Sequence, residues 1–138
     1  MAAEILVPAD AEAAVIAELN ARLPGLGFPS VTVGTKIPGT RPAEFIRAYR
    51  TGGVSPDITS DAVSVTIEAY AEREVRAERI CSVAVAALQA AGRDGWLGSV
   101  PCRRVQLFSF PANLPDPKVT DRHRYSSLIS AVLRRTAA

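Results

Sequence analysis

Residues 61–71 read DAVSVTIEAYA. Successive side chains of an extended chain point to opposite sides, so Val63, Val65, Ile67 and Ala69 share one face and Ser64, Thr66, Glu68 and Tyr70 the other. A two-residue period held over this length marks a half-buried antiparallel strand, with one apolar face for a core and one polar face left over. A sheet is therefore expected, with helices needed to cover its apolar side.

Upstream, residues 43–51 (AEFIRAYRT) alternate Phe45, Arg47 and Tyr49 against Ile46, Ala48 and Arg50. Neither set is cleanly apolar. Such a strand belongs at a sheet edge, or with its second face against a partner. Gly52-Gly53 reads as the opening of a loop that continues through Pro56 and Asp57, a connection of roughly ten residues, long for a hairpin. Residues 30–36 (SVTVGTK) alternate Val31 and Val33 with polar neighbours and predict a further strand, ended by Pro38 and Gly39. Before it, residues 10–23 predict a helix. Asp10 can cap it, Glu12 suits its first turn, Val15, Ile16, Leu19 and Leu23 form its stripe, and Pro24-Gly25 stop it.

Downstream, residues 72–91 predict a second helix. Ala77, Ile80, Ala84, Leu88 and Ala91 line one side, Glu72 and Arg76 are spaced to pair, and Gly92 stands at the natural C-terminal cap. Its many alanines leave little bulk, so it can lie close to a sheet. Trp96, in the turn RDGWLGS, is expected as a lid over the end of the core. Residues 100–110 (VPCRRVQLFSF) predict a strand with Arg103, Val105 and Leu107 on one face. Residues 111–124 hold three prolines and no period, hence a loop. The final segment, RYSSLISAVLRR, fits both periods: Tyr125, Leu128, Ile129, Val132 and Leu133 at helical spacing, or Tyr125, Ser127, Ile129, Ala131 and Leu133 at strand spacing. The local pattern leans slightly to a helix.

With 138 residues, 48% hydrophobic and 22% charged, the chain suits one domain spanning 1–138 with a real core. No apolar run approaches the ~18 residues of a membrane span, and the first twenty residues lack the positive start of a secretory signal, so a cytoplasmic protein is expected. Cys81 and Cys102 are then reduced, buried thiols. The net charge of +2 is arranged in blocks: residues 1–30 carry −3, 31–60 +2, 61–80 −2 and 81–138 +5. Patches of both signs suit contact between copies or with neighbours, or a solvated mixed surface.

No constellation of catalytic residues emerges. There is no phosphate-binding glycine loop, no G-x-S-x-G elbow, and the lone His123 has no evident nucleophile or orienting partner. Two distant cysteines and one histidine do not make a zinc site. The reading is a non-enzyme without metal or cofactor. What remains is arginine: Arg41, Arg47, Arg50, Arg103, Arg104, Arg122 and Arg124, with no chemistry beside them. A nucleic-acid-binding module is one reading, although no basic groove helix or aromatic stacking strand supports it. Pairing with acidic blocks of an adjacent copy is the other.

The order of motifs adds a further expectation. Arg41-Pro42 leads to Phe45-x-Arg47-x-x-Arg50-Thr51-Gly52-Gly53, then to the alternating strand ending Glu68-Ala69-Tyr70-Ala71, an alanine-rich helix, Pro111-Ala112-Asn113-Leu114-Pro115-Asp116-Pro117 and Arg124-Tyr125. From about residue 10 to 135 this resembles the tail terminator proteins of bacteriophages or prophages with long, non-contractile tails. The resemblance implies an α+β protomer, a mostly antiparallel sheet packed by two main helices, with the last segment a strand. It implies a ring, usually six-fold, that ends the tail tube and later joins it to the head, in a virion tail assembled in the host cytoplasm. Implied partners are further copies, the tail tube protein, a head–tail connector protein and DNA passing through the ring, with no membrane. A head-completion or connector protein of the neck is the alternative. The seven arginines then become candidates for contact between subunits or with the lumen.

Overall fold

The computed structural model describes residues 2–138. In chain order it contains β1 (Leu6–Val7), α1 (Ala11–Arg22), a 3-10 turn (Pro24–Leu26), β2 (Thr32–Gly34), β3 (Glu44–Val54), β4 (Ser60–Ala71), α2 (Glu74–Asp94), β5 (Trp96–Leu97), β6 (Val100–Asn113), β7 (His123–Arg134) and β8 (Thr136–Ala137). This is the expected α+β architecture. Six strands form one sheet in the order β2-β3-β4-β7-β6-β5, antiparallel throughout except for β2 against β3. β1 and β8 make a separate short ribbon.

The alternating stretch is the middle strand. β4 pairs with β3 on one side and β7 on the other, so its backbone is saturated along both flanks. Val65, Ile67 and Ala69 are fully buried beneath the helices. They join Ile46 and Ala48 of β3, Ile129, Ala131 and Leu133 of β7, and the inner sides of α1 and α2 in one core. α1 starts as the sequence requires: Ala13 N–H donates to Asp10 Oδ1 at 3.1 Å, and Val15, Leu19 and Leu23 are buried.

α2 lies across β6, β7 and β4. Its inner side alternates the buried Ile80, Val85 and Leu88 with small residues (Ala77, Ala84, Ala87, Ala91), which let the backbone settle close to the sheet. At Gly92 the approach is closest, and a Cβ there would sit 2.5 Å from the backbone nitrogen of Val105. Gly92 is thus a helix-interior packing residue rather than the C-cap. The cap is Gly95 (φ 91°), whose N–H reaches the carbonyls of Ala91 and Gly92. The start also differs, because Arg73 is the cap residue and Glu72 lies outside the helix. Arg76 turns instead to Glu44 of β3, with nitrogen–oxygen distances of 2.6 and 2.8 Å.

Other boundaries move for identifiable reasons. Gly52 and Gly53 belong to β3, not to a loop. The ladder shifts register between Arg50 and Gly52, and both glycines hold positive φ (133° and 147°). A Cβ on Gly53 would lie 2.3 Å from the carbonyl oxygen of Ala62. The glycines are a bulge device, and the connection shrinks to residues 55–59. β2 keeps only three residues of the predicted strand. β6 runs on to Asn113 through Pro111, because irregularities after Leu107 and Ser109 take residues out of the ladder. The last segment is β7, not a helix. Its two flanks satisfy β4 and β6 together, a demand that local periodicity does not contain. Trp96 is 54% exposed and is no lid; the neighbouring Leu97 is the buried residue of that turn. Cys81 and Cys102 are buried and free, and burial pushes the Cys81 thiol up to about 12.

Gly92→Ala gives a test of the α2–sheet approach. In an open helix this change stabilises by about 1 kcal/mol. Here the added methyl meets backbone, and a net loss of roughly 1–3 kcal/mol is expected from overpacking, measured by urea unfolding. A gain would show that α2 stands further from β6.

Candidate functional site

The side of the sheet away from the helices carries the polar residues of β4 and their cross-strand partners. Glu68 sits at its centre, only 3% exposed. Arg124 Nη1 donates to Glu68 Oε2 at 2.8 Å, Arg47 Nη1 lies 3.4 Å from Oε1, and the Tyr49 and Tyr70 hydroxyls lie 3.3 and 3.2 Å away. The register explains the grouping, since Arg47 stands opposite Glu68 on β3 and Arg124 opposite Tyr70 on β7. Tyr70 also bonds Asp116 at 3.0 Å and stacks on Phe45 with ring centres 4.6 Å apart. Burial, with the nearby Glu68 carboxylate, holds the Tyr70 phenol well above its usual range. Val119 completes a small second core with Phe45, Tyr70 and Ile37.

The seven candidate arginines separate into two sets. Arg41, Arg47, Arg122 and Arg124 are spoken for within the chain. Arg41 pairs with Asp121 at 3.0 Å, and Arg122 donates to the carbonyls of Arg41 and Pro42. Arg47 reaches Thr35 O besides Glu68, and Arg124 reaches Leu114 O. Together they bind the segments around residues 35–42 and 114–122 to the sheet. Arg50, Arg103 and Arg104 are exposed, with no side-chain partner among the described residues. Arg50 stands on the outer side of β3, where its backbone N–H donates to Glu12 of α1 at 2.9 Å. Arg103 and Arg104 stand at the other edge, on β6, where Arg134 joins them around adjoining surface depressions.

The sequence reading passed over three residues of consequence. Glu68 is the hub, and the signal was there: a carboxylate in the middle of a period-two strand needs a partner once its strand is flanked on both sides. Arg134 was missed because the final segment had no settled form. Arg135 was missed for the same reason; it grips Asp61 through two bonds of 2.8 and 2.9 Å and reaches Leu6 O.

His123 is exposed at the start of β7 and lines a hollow of about 480 Å³ with Glu72, Asp116 and Asp121. Two of those carboxylates are engaged, Asp116 by Tyr70 and the Lys118 N–H, Asp121 by Arg41. Among the described residues no group of three or more His, Cys, Asp or Glu is placed to hold a metal, and no helix is long and apolar enough to cross a membrane. Several large apolar side chains are exposed: Val54 and Ile58 around the β3–β4 connection, Phe108 and Phe110 on β6.

No family model matches the sequence, and no curated protein does. Among solved structures, the fold is similar to a chain of the "Virion of native gene transfer agent (GTA) particle". The TM-score is 0.64 at 16% identity, over 90% of this chain and 94% of that one. The two chains share a fold.

Two outcomes follow from the ion pairs. Asp61 is held below the usual carboxylate range by the Arg135 hydrogen bonds, Glu44 by Arg76, and Asp116 by the Lys118 N–H. The folded state therefore favours their ionised forms. That stabilisation is complete above their ordinary pKa near 4 and is lost as pH falls below it. Melting temperature should hold from pH 8 to 5 and drop below about pH 4, with Asp61→Asn flattening the drop. Glu68→Gln should cost about 2–3 kcal/mol, at the low end for a broken buried pair because Arg47 keeps 33% exposure, and denaturant unfolding checks it.

Proposed function

We propose that this chain is a structural protein of a phage-like virion, a single domain that closes into a ring of its own copies, ends the tail tube and offers the surface to which the head attaches. The observation that carries this reading is the pair of unlike sheet edges on one protomer. β2 covers β3 only at residues 45–47, and β5 covers β6 only at residues 100–101. The remainder of β3, to Val54, and of β6, to Asn113, have no strand on their outer sides. A ring needs such a heterologous contact, with one surface meeting a different surface on the next copy.

The edges are also chemically unlike. β6 exposes Phe108 and Phe110, the latter 79% exposed. Natural edge strands avoid such residues unless something covers them. β3 carries the cationic Arg50 and the bulged glycines before its exposed last residue, Val54, and has no aromatic side chain there. The fold likeness to a chain of a gene transfer agent virion agrees with this role, as does the order of motifs shared with tail terminators. From the resemblance to tail terminators we take the ring as six-fold, with the tail tube protein and a head–tail connector as further partners. Arg50, whose head is free, serves the contact between copies.

Mixing the purified chain with growing tail tubes tests the proposal. Tubes of defined length, each ended by a ring in negative-stain images, are expected. Tubes that keep growing, with the chain monomeric in sedimentation at saturating tube concentration, would overturn it. Arg50→Glu should weaken capping tenfold or more, since a misplaced charge at a contact costs roughly 1.4 kcal/mol or more. Its unfolding free energy should stay within about 0.5 kcal/mol of the parent. Loss of the fold in circular dichroism would make Arg50 a structural residue instead.

A further inference from the structure

We propose that the end of the sheet where Arg103, Arg104 and Arg134 converge binds the phosphates of a nucleic-acid backbone. The inference starts from a contrast among the arginines. Arg22, Arg41, Arg47, Arg76, Arg122, Arg124 and Arg135 each have a carboxylate within 4.0 Å. Arg50, Arg73, Arg79, Arg93, Arg103, Arg104 and Arg134 have none among the described residues, and of these Arg103, Arg104 and Arg134 line depressions that share residues. The nearest candidate, Asp57, spends its Oδ1 on the N–H and hydroxyl of Thr59, at 2.9 and 2.8 Å. Guanidinium groups do not shed their charge near neutral pH. Asp57 acts on Arg103 only through space and forms no ion pair with any of the three, so three gathered cations face at most one carboxylate and keep a net positive charge for an anion to meet.

The backbone has a device that gathers them. In a regular strand Arg103 and Arg104 would point to opposite faces. The β6–β7 ladder instead runs Cys102↔Leu133 and then Arg104↔Val132, leaving Arg103 as an extra residue. Such a bulge re-aims side chains. Both arginines consequently line one depression of about 480 Å³, floored by Ala62 and Val132. A second depression of about 420 Å³ shares Arg103 and Val132 and adds Arg134 with Thr59 and Ser60. Sharing those residues, the two are taken together as one trough across the end of β4, β7 and β6. The cross-strand register puts Arg134 two residues along β7 from Val132, itself opposite Arg104, so the cations follow one another along the trough.

This form favours a linear polyanion. One carboxylate would neutralise one cation of three, whereas a phosphodiester chain supplies charges in succession, each with the oxygen geometry that a guanidinium fork fits. The hydroxyls of Thr59 and Ser60 add donors. Nothing in the trough is built to read base edges, so binding is independent of sequence. The placement of this ligand in a particle rests on the virion reading; the binding itself belongs to the purified chain and is measured on it.

Fluorescence anisotropy with a labelled duplex of mixed sequence, from 50 to 200 mM salt, is the experiment. The parent should bind at low salt, with log affinity falling linearly against log salt. R103Q/R104Q/R134Q should weaken binding at least tenfold and reduce the salt slope by roughly three, about one per lost phosphate contact. R73Q/R79Q/R93Q removes the same charge elsewhere and should change affinity less than twofold. Melting curves establish that both variants fold, and the single variant R134Q, at the exposed end of β7, replaces the triple one if it does not fold, with a slope change of about one. Equal losses in both triple variants would show attraction by net charge alone and overturn the site. So would absence of binding at 50 mM salt. Poly-glutamate competing as well as DNA at equal charge would also overturn it and assign the trough to an acidic protein surface. A chain that binds DNA yet never caps tubes keeps the site and loses the ring; a chain that caps tubes without binding DNA does the reverse.

Discussion

Glu68 puts a carboxylate where water scarcely reaches, and the sheet is arranged around that demand. It occupies the middle of the strand that is hydrogen-bonded on both flanks, so no shift of β4 can carry the carboxylate into water. The requirement is met by drawing Arg47 from one neighbouring strand and Arg124 from the other, with two tyrosine hydroxyls beside them. Those same arginines reach outward to backbone carbonyls in two long connections. A single buried carboxyl group thereby ties the strand register on the polar face to the path of segments that have no regular structure. The opposite face of β4 needs only apolar contact with the helices, which is less exacting about position.

That division explains what could be read in advance. The middle strand, both helices and the buried thiols follow from periodicity and composition, because each is a local pattern with a local cause. The bulge in β3 was hidden, since a glycine pair signals a turn and a bulge equally well. The nature of β7 was hidden for a different reason: residues 125–133 satisfy either period, and only two partner strands distinguish them. The resemblance to tail terminators supplied that missing global information, and β7 is the strand it implied. Of the candidate arginines, the sequence could identify the residue type but not the company. Whether an arginine is consumed inside the fold depends on acids 20 to 80 residues away, such as Glu68 for Arg47 and Asp121 for Arg41.

Arginine therefore plays two parts here that look alike in sequence. One set replaces secondary structure in the connections, holding loops by their carbonyl groups. The other, on β3, β6 and the end of β7, has no carboxylate partner. The physical difference is the presence of a carboxylate: Arg47 and Arg124 meet Glu68 over the centre of the sheet, whereas Arg50, Arg103 and Arg104 have none.

The short ribbon of β1 and β8 has a consequence of its own. Leu6 lies opposite Ala137, and Arg135 ties the Leu6 carbonyl to Asp61 while its own N–H reaches Thr59 O. Residues 6–7 and 136–137 are thus buttoned together beside the β3–β4 connection. Probes placed at Leu6 and at Ala137 therefore report on one corner of the protomer, where Pro8, Ala9 and Arg135 share a hollow with Arg50 and the bulged glycines of β3.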